Sequence, residues 1–198
     1  DPGNKLDGPN VWPLNGAALR EAMEAYFDAT SKLAAVLQRA FSLALGQDAD
    51  FFERLFNPPQ YLLKLNHYPP QGNPQSVSNI GVVPHSDEGG FTILWQDDNG
   101  GLEIQSKNGE WVEAPPLAGT YIINLGNAMQ TWTNGEFSST PHRVINRSGA
   151  DRYSIPLFAN PRWDAPIKPL MGDAPVTGDA DTYEVYQRRN WRRIFPIA

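Results

Sequence analysis

The segment Gly-Val-Val-Pro-His-Ser-Asp, residues 81–87, decides how this chain is interpreted. Residues two apart on a β-strand point to the same side, so His85 and Asp87 are predicted to enter one pocket. A further histidine, His142, lies in Ser-Ser-Thr-Pro-His-Arg-Val-Ile, ahead of another strand-like stretch. Two histidines and one carboxylate are the ligands of an open mononuclear iron(II) site, which leaves positions for substrate, cosubstrate and oxygen. The sequence therefore predicts a metal site formed by His85, Asp87 and His142.

The residues around this segment predict a chain that is mainly β. Short stretches of strand-forming residues are separated by turn signals such as Asp-Asp-Asn-Gly-Gly at 97–101. The predicted strands are 61–68, 80–83, 91–96, 101–106, 111–113, 120–125, 143–146 and 153–159. Short strands that follow a helix indicate a jelly-roll core made of two facing sheets, with helices packed outside.

Helices are predicted before and after the strands. Residues 17–45 contain no proline or glycine, and apolar side chains recur there at helical spacing, so we expect one long helix closed by Gly46. A shorter helical piece is expected at 50–56 and a last helix at 181–193. We interpret the 198 residues as one domain with three parts. These are an irregular N-terminal segment with helices (1–59), the jelly-roll core (60–160) and a C-terminal loop and helix (161–198).

The composition excludes several classes of site. The chain has no cysteine, which excludes disulfides, thiolate metal sites and a cysteine nucleophile. Its net charge of −6 gives no reason to expect nucleic acid, and no apolar run approaches the ~20 residues that span a bilayer. We expect a cytoplasmic monomer that acts on a small molecule and binds neither nucleic acid nor membranes.

Two further pairs of residues have the spacing of strand neighbours. Arg152 and Ser154 are predicted to point in one direction, where a guanidinium and a hydroxyl can hold the distal carboxylate of a keto-acid. Asn66 and Tyr68 are predicted to face the same pocket, with His67 between them pointing away as a structural histidine. A surface arginine on an edge strand and a buried core tyrosine are the alternatives for Arg152 and Tyr68.

These motifs together resemble a known family. Asn66-x-Tyr68-Pro69, Pro84-His85-Ser86-Asp87, Asn124-Leu125-Gly126-Asn127, Pro141-His142-Arg143-Val144 and Arg152-x-Ser154 occur in the order seen in iron and 2-oxoglutarate dioxygenases of the isopenicillin N synthase-like superfamily. The resemblance covers residues 60 to about 170 well and the flanks loosely. The combination is far more specific than any one motif.

The resemblance implies a double-stranded β-helix with the long helix packed outside it. Iron(II) would be bound by His85, Asp87 and His142, with 2-oxoglutarate as cosubstrate, oxygen as oxidant and ascorbate as a candidate reductant. Arg152 and Ser154 would hold the distal carboxylate of 2-oxoglutarate. Tyr68 would assist them, and Asn66 would lie near the metal. The family implies oxidation of a small organic substrate by hydroxylation, desaturation or ring closure.

Four apolar residues are predicted to line the substrate pocket: Phe91, Leu94, Trp132 and Phe158. Phe158 matches a family position that often packs against the substrate, and all four suggest a hydrophobic or aromatic small molecule.

Other functions remain open at this point. An oxidase of the isopenicillin N synthase or ethylene-forming type uses the same metal ligands without 2-oxoglutarate, and a silent ligand-binding barrel would need no metal ligands. Zinc hydrolysis fits less well, because a zinc site of this kind needs no keto-acid anchor. Family members carry a further N-terminal region, which we expect this chain to lack. If that region is absent, we expect an exposed sheet edge, an open pocket and sharply reduced turnover.

Overall fold

The computed structural model describes residues 8–70, 80–172 and 181–194. In chain order the strands are β1 (Gln60–Leu63), β2 (Asn66–Tyr68), β3 (Ile80–His85), β4 (Phe91–Gln96), β5 (Leu102–Gln105), β6 (Trp111–Glu113), β7 (Ile122–Leu125), β8 (His142–Ile145), β9 (Arg152–Asn160), β10 (Pro166–Ile167) and β11 (Asp181–Thr182). The helices are α1 (Ala17–Ala44), α2 (Asn127–Trp132) and α3 (Tyr183–Ile194), with a 3-10 turn at Glu53–Leu55.

The strands form two antiparallel sheets that face each other across a pocket. The larger sheet has the order β1-β9-β4-β7, and β2 pairs with β9 beyond the end of β1. The smaller sheet has the order β3-β8-β5-β6, and β10 pairs with β11 in a separate ribbon. This arrangement confirms the mainly β, two-sheet architecture that the spacing of strands and turns predicted.

Strand β9 is the centre of the larger sheet, because three strands pair with it. Leu63 pairs with Leu157 and Asn66 with Ser154, so β1 and β2 lie along one edge of β9. The single strand predicted over 61–68 is therefore interrupted between these two pairs. On the other edge of β9, Leu94 of β4 pairs with Pro156. The side chains of β9 that point into the pocket are thus flanked by neighbours from both edges.

The long helix α1 covers the outer face of the larger sheet. Thr30, Ala34, Gln38 and Ser42 are its buried residues and recur every fourth position, which gives the stripe expected of a helix on a core. Gly46, with φ 68°, ends the helix, and the Gln47 N–H donates to the Ser42 carbonyl at 2.9 Å. The predicted long helix is confirmed within one residue. No helix in the described ranges combines the length and apolar character needed to cross a bilayer.

Candidate metal centre and its pocket

The structure brings the three predicted metal ligands together. His85 ends β3 and His142 begins β8, and the two residues are direct partners across the smaller sheet. Asp87 Oδ1 lies 3.9 Å from His85 Nε2 and 3.8 Å from His142 Nε2. One ligand atom from each residue lies within 4.8 Å of the others, so a single ion can contact all three. His85 and Asp87 share the pocket, as their spacing predicted, although Asp87 lies in a loop beyond the end of β3.

An irregular strand positions His85. The register of β3 against β8 shifts between Ile80 and Val82 and again between Val82 and His85. Pro84, which has no N–H to donate to a ladder, lies inside the second shift. Bulges of this kind bend a strand and change the direction of a side chain. The Pro-His sequence is therefore part of the reason that His85 faces the pocket.

A backbone carbonyl beside each histidine favours the tautomer that a metal requires. His85 Nδ1 lies 2.9 Å from the Val83 carbonyl, and His142 Nδ1 lies 3.2 Å from the Thr140 carbonyl. A carbonyl only accepts, which favours the proton on Nδ1 and leaves the Nε2 lone pair toward the pocket. At His142 the Asn124 Nδ2 also lies 3.3 Å from Nδ1. Burial also lowers the pKa of His142, which favours its neutral form. The carbonyl contacts thus leave the two Nε2 atoms available as metal ligands.

The carboxylate of Asp87 is oriented by two neighbours in the larger sheet. Thr92 Oγ1 donates to Asp87 Oδ2 at 2.6 Å, and Asn124 Nδ2 donates to the same oxygen at 2.7 Å. Thr92 and Asn124 are themselves cross-strand partners on β4 and β7. Because Oδ2 is occupied by these donors, Oδ1 is the oxygen that faces the two histidines.

The substitution Thr92→Val should weaken divalent metal binding by about 10- to 100-fold, the usual effect of removing a group that orients a ligand. Valine keeps the shape of threonine but removes the hydroxyl that donates to Asp87. The dissociation constant for iron(II), measured by anaerobic calorimetry, checks this. Thr120→Val is the matched control, since the Thr120 hydroxyl donates to the Leu117 carbonyl in an exposed turn away from the pocket. Equal affinities in the two variants would contradict the assigned role.

Arg152 lies at the pocket with an incomplete set of partners. Its side chain is 1% exposed, its Nε donates to the Gly100 carbonyl and its Nη2 donates to Gln96 Oε1 at 3.0 Å. Its Nη1 is buried and has no hydrogen-bond partner among the described residues. Burial lowers the pKa of the guanidinium from its ordinary value, which lies so far above neutral that the arginine stays protonated. A buried cation with a free donor favours an anion beside it.

The other predicted anchor residues lie around this arginine. The Tyr68 ring lies 4.9 Å from the guanidinium carbon of Arg152, and Asn66 Nδ2 donates to Ser154 Oγ at 3.3 Å. All four side chains line the same pocket as the histidines. His67 points away, as predicted, and its Nε2 pairs with Asp151 Oδ1 at 2.6 Å on the surface. Burial of Arg152 contradicts the alternative of a surface arginine on an edge strand. Tyr68 is 9% exposed and packs with Leu102 and Val144, so the alternative of a buried core tyrosine fits this placement as well.

Two of the four residues predicted to line the substrate pocket do line it. Leu94 and Phe158 line the pocket, but Phe91 and Trp132 lie in the core on the far side of the larger sheet, 1% and 0% exposed. Phe91 and Leu94 are three residues apart on β4, so their side chains leave opposite faces of the sheet. Trp132 is on α2, and its ring lies 5.9 Å from that of Phe56. Placing Phe91 and Trp132 in the pocket was therefore wrong.

Several residues that line the pocket or hold a lining residue were not predicted from the sequence. Thr92 and Asn124 hold Asp87, and Gln96 holds Arg152. Further lining residues are Lys64, Val82, Leu102, Ile104, Ile122, Val144 and Pro156. The β4 residues could have been predicted from their spacing, since Thr92, Leu94 and Gln96 are two residues apart and lie on one face of the strand. The roles of the remaining residues depend on pairing between distant strands.

The known sequences that match this chain include oxygenases of one superfamily. The sequence profile of the 2OG-Fe(II) oxygenase superfamily matches residues 59–161. A homoarginine-6-hydroxylase, 2-ODD-C23, from Glycine max is 34% identical over 86% of this chain and 53% of its own length. The 2-oxoglutarate-dependent dioxygenase citB from Monascus ruber is 37% identical over 90% of this chain and 56% of its own length. The chain spans about half the length of the curated relatives it matches.

Solved structures show the same relationship. A full-length Neurospora crassa protein in complex with alpha-KG superposes with a TM-score of 0.84 at 27% identity, covering 96% of this chain and 62% of that one. JOX2 in complex with 2OG, Fe and JA superposes with a TM-score of 0.81 at 32% identity, covering 90% of this chain and 54% of that one. The two-sheet core described above is therefore the core of these proteins.

Proposed function

This chain belongs to the 2OG-Fe(II) oxygenase superfamily, and we propose that the protein couples oxidative decarboxylation of 2-oxoglutarate to oxidation of a small organic molecule. His85, Asp87 and His142 would hold iron(II), which fits their donor set of two neutral imidazoles and one carboxylate. The bound metal and cosubstrate supply the oxygen chemistry, and the protein supplies binding and orientation.

The observation that carries the proposal is the Nη1 of Arg152, which has no hydrogen-bond partner within the described ranges and belongs to the pocket that also contains the three ligands. Gln96 and Gly100 fix the guanidinium, and the Ser154 hydroxyl lies on the neighbouring inward position of the same strand. These donors suit a carboxylate, which an arginine binds through charge-assisted hydrogen bonds. The relatives support this use, since the Neurospora crassa protein and JOX2 are described in complex with alpha-KG and 2OG.

The pocket walls favour a substrate with an apolar surface. Leu94, Ile104, Ile122 and Phe158 lie around the metal ligands, and Phe158 pairs across the sheet with Thr92, which holds Asp87. Apolar walls exclude water and leave few groups to orient a polar molecule. We propose a small molecule with a hydrophobic body, and the named activities of the relatives differ too much to select one.

The test is turnover with iron(II), oxygen and 2-oxoglutarate. We expect succinate to form in proportion to the oxygen consumed, and the rate to rise when an accepted substrate is added. Oxygen consumption that needs no 2-oxoglutarate would replace the proposal by an oxidase, and absence of iron(II) binding would replace it by a silent barrel.

A further inference from the structure

Glu88 directly follows a metal ligand and faces the opposite way. Asp87 is 7% exposed and points into the pocket, whereas the side chain of Glu88 is 21% exposed and lies against α3. Both residues lie in the loop that follows β3, and their side chains leave this loop toward opposite sides. One peptide unit therefore carries a ligand on its inner side and a second carboxylate on its outer side.

The carboxylate of Glu88 contacts three residues on one face of α3. Its Oε2 accepts hydrogen bonds from the Tyr186 hydroxyl and from Asn190 Nδ2, the latter at 2.8 Å, and its Oε1 lies 3.8 Å from Arg193 Nη2. Residues 186, 190 and 193 are spaced by four and three, so they form one helix face. Burial and the contact with Glu88 raise the pKa of Tyr186 to about 12, so its hydroxyl stays a donor at neutral pH.

The loop that carries both carboxylates is also held by α2. Asn127 donates its backbone N–H to the Asp87 carbonyl at 2.8 Å, and its Nδ2 lies 3.3 Å from Glu88 Oε2. A Cβ at Gly89 would overlap the Asn160 side chain, and one at Gly90 would overlap the Phe56 ring. The two residues after Glu88 are therefore packed closely against their neighbours. Movement of Glu88 relative to Asp87 is therefore restricted by backbone and side-chain contacts.

The first turn of α3 has a separate anchor. The Tyr183 side chain is 1% exposed, its ring stacks on Trp163 at 5.8 Å, and its N–H donates to the Ala165 carbonyl at 2.8 Å. Loss of the Glu88 contacts would thus loosen the second half of α3 without detaching its start. Because α3 keeps its first anchor, an effect of Glu88 on positioning can be distinguished from general unfolding.

We propose that Glu88 is a positioning residue that couples the docking of α3 to the metal-binding loop, so that metal binding and helix docking stabilise each other. A docked α3 restrains Glu88, and with it the neighbouring Asp87. By reciprocity, a metal that fixes Asp87 must favour the docked helix by the same factor. The inference rests on the proposed metal site.

The test combines anaerobic iron(II) titration with hydrogen exchange of residues 186–193. In the unmodified protein, iron(II) should slow exchange in this segment by about tenfold. Glu88→Gln and Tyr186→Phe should lose most of that protection and weaken iron(II) binding by roughly tenfold, the lower end for a group that supports a ligand. Arg189→Gln is the matched control on the same helix, because Arg189 pairs with Asp181 at 2.8 Å and not with Glu88.

The outcomes separate the two proposals. If the unmodified protein binds no iron(II), the proposed function fails. If it binds iron(II) while exchange in α3 is unchanged, or if Glu88→Gln and Tyr186→Phe keep full affinity, the coupling alone is overturned. Circular dichroism confirms that each variant is folded, and Tyr186→Phe removes only one hydroxyl.

Discussion

Replacing Asp87 by alanine should abolish turnover and weaken iron(II) binding by about a thousandfold or more, which corresponds to ~4 kcal/mol. Asp87 supplies the only charged ligand of the cluster, and its Oδ1 lies within 3.9 Å of both histidine Nε2 atoms. The change also leaves the Thr92 hydroxyl and the Asn124 amide without their acceptor. Anaerobic calorimetry gives the affinity, and succinate formation gives the turnover.

Asp151→Ala is the control for this prediction. Asp151 also pairs with a histidine, His67, but on the surface and outside the pocket. The control should leave iron(II) binding unchanged, since Asp151 does not line the pocket and exposed ion pairs contribute little. Retention of most iron-dependent activity by Asp87→Ala would show that the metal lies elsewhere.

Replacing Arg152 by alanine should mainly raise the concentration of 2-oxoglutarate that is needed for activity. Removing one partner of a buried charge pair costs about 2–5 kcal/mol, which equals roughly 30- to several-thousandfold in affinity. Iron(II) binding should change little, because Arg152 contacts Gln96, Gly100 and Tyr68 and not the three ligands. The apparent Michaelis constant for 2-oxoglutarate, measured beside the iron(II) dissociation constant, separates the two effects.

Arg39→Ala is the matched control, since Arg39 is exposed on α1 and does not line the pocket. The same loss of charge there should leave the 2-oxoglutarate requirement unchanged. An unchanged requirement in Arg152→Ala would mean that the cosubstrate carboxylate is held by another group, and would favour an oxidase.

Local patterns were enough to predict most of the fold. The helix over 17–45, the strands at 91–96 and 111–113, and the two-sheet class follow from apolar periodicity and glycine turns that act within a few residues. Helix α2 was missed because its six residues are too short to show a period. The interruption between β1 and β2 was missed because both pieces continue along one strand, β9.

The site was predictable where two residues lie two positions apart on a strand. His85 with Asp87 and Arg152 with Ser154 were identified by this spacing, and His142 by its strand-like surroundings and the resemblance. The structure places these five residues in one pocket. The prediction for Phe91 was wrong because it considered only the apolar residue type and not which face of β4 the side chain occupies.

Groups that hold other groups could not be predicted. Asn124 and Glu88 act on partners 37 and 102 positions away, at Asp87 and Asn190, and those contacts exist only after the sheets and α3 assemble. The same limit applies to the Gln96 contact with Arg152, which joins residues 56 positions apart.

The central claim is that one pocket holds iron(II) through His85, Asp87 and His142 and 2-oxoglutarate through Arg152. Anaerobic addition of iron(II) and then 2-oxoglutarate to the purified protein tests this most directly, with visible absorption as the readout. We predict a metal-to-ligand charge-transfer band that needs both additions, that is lost in Asp87→Ala, and that needs far more 2-oxoglutarate in Arg152→Ala. Absence of the band in the unmodified protein, or an identical band in both variants, would contradict the account.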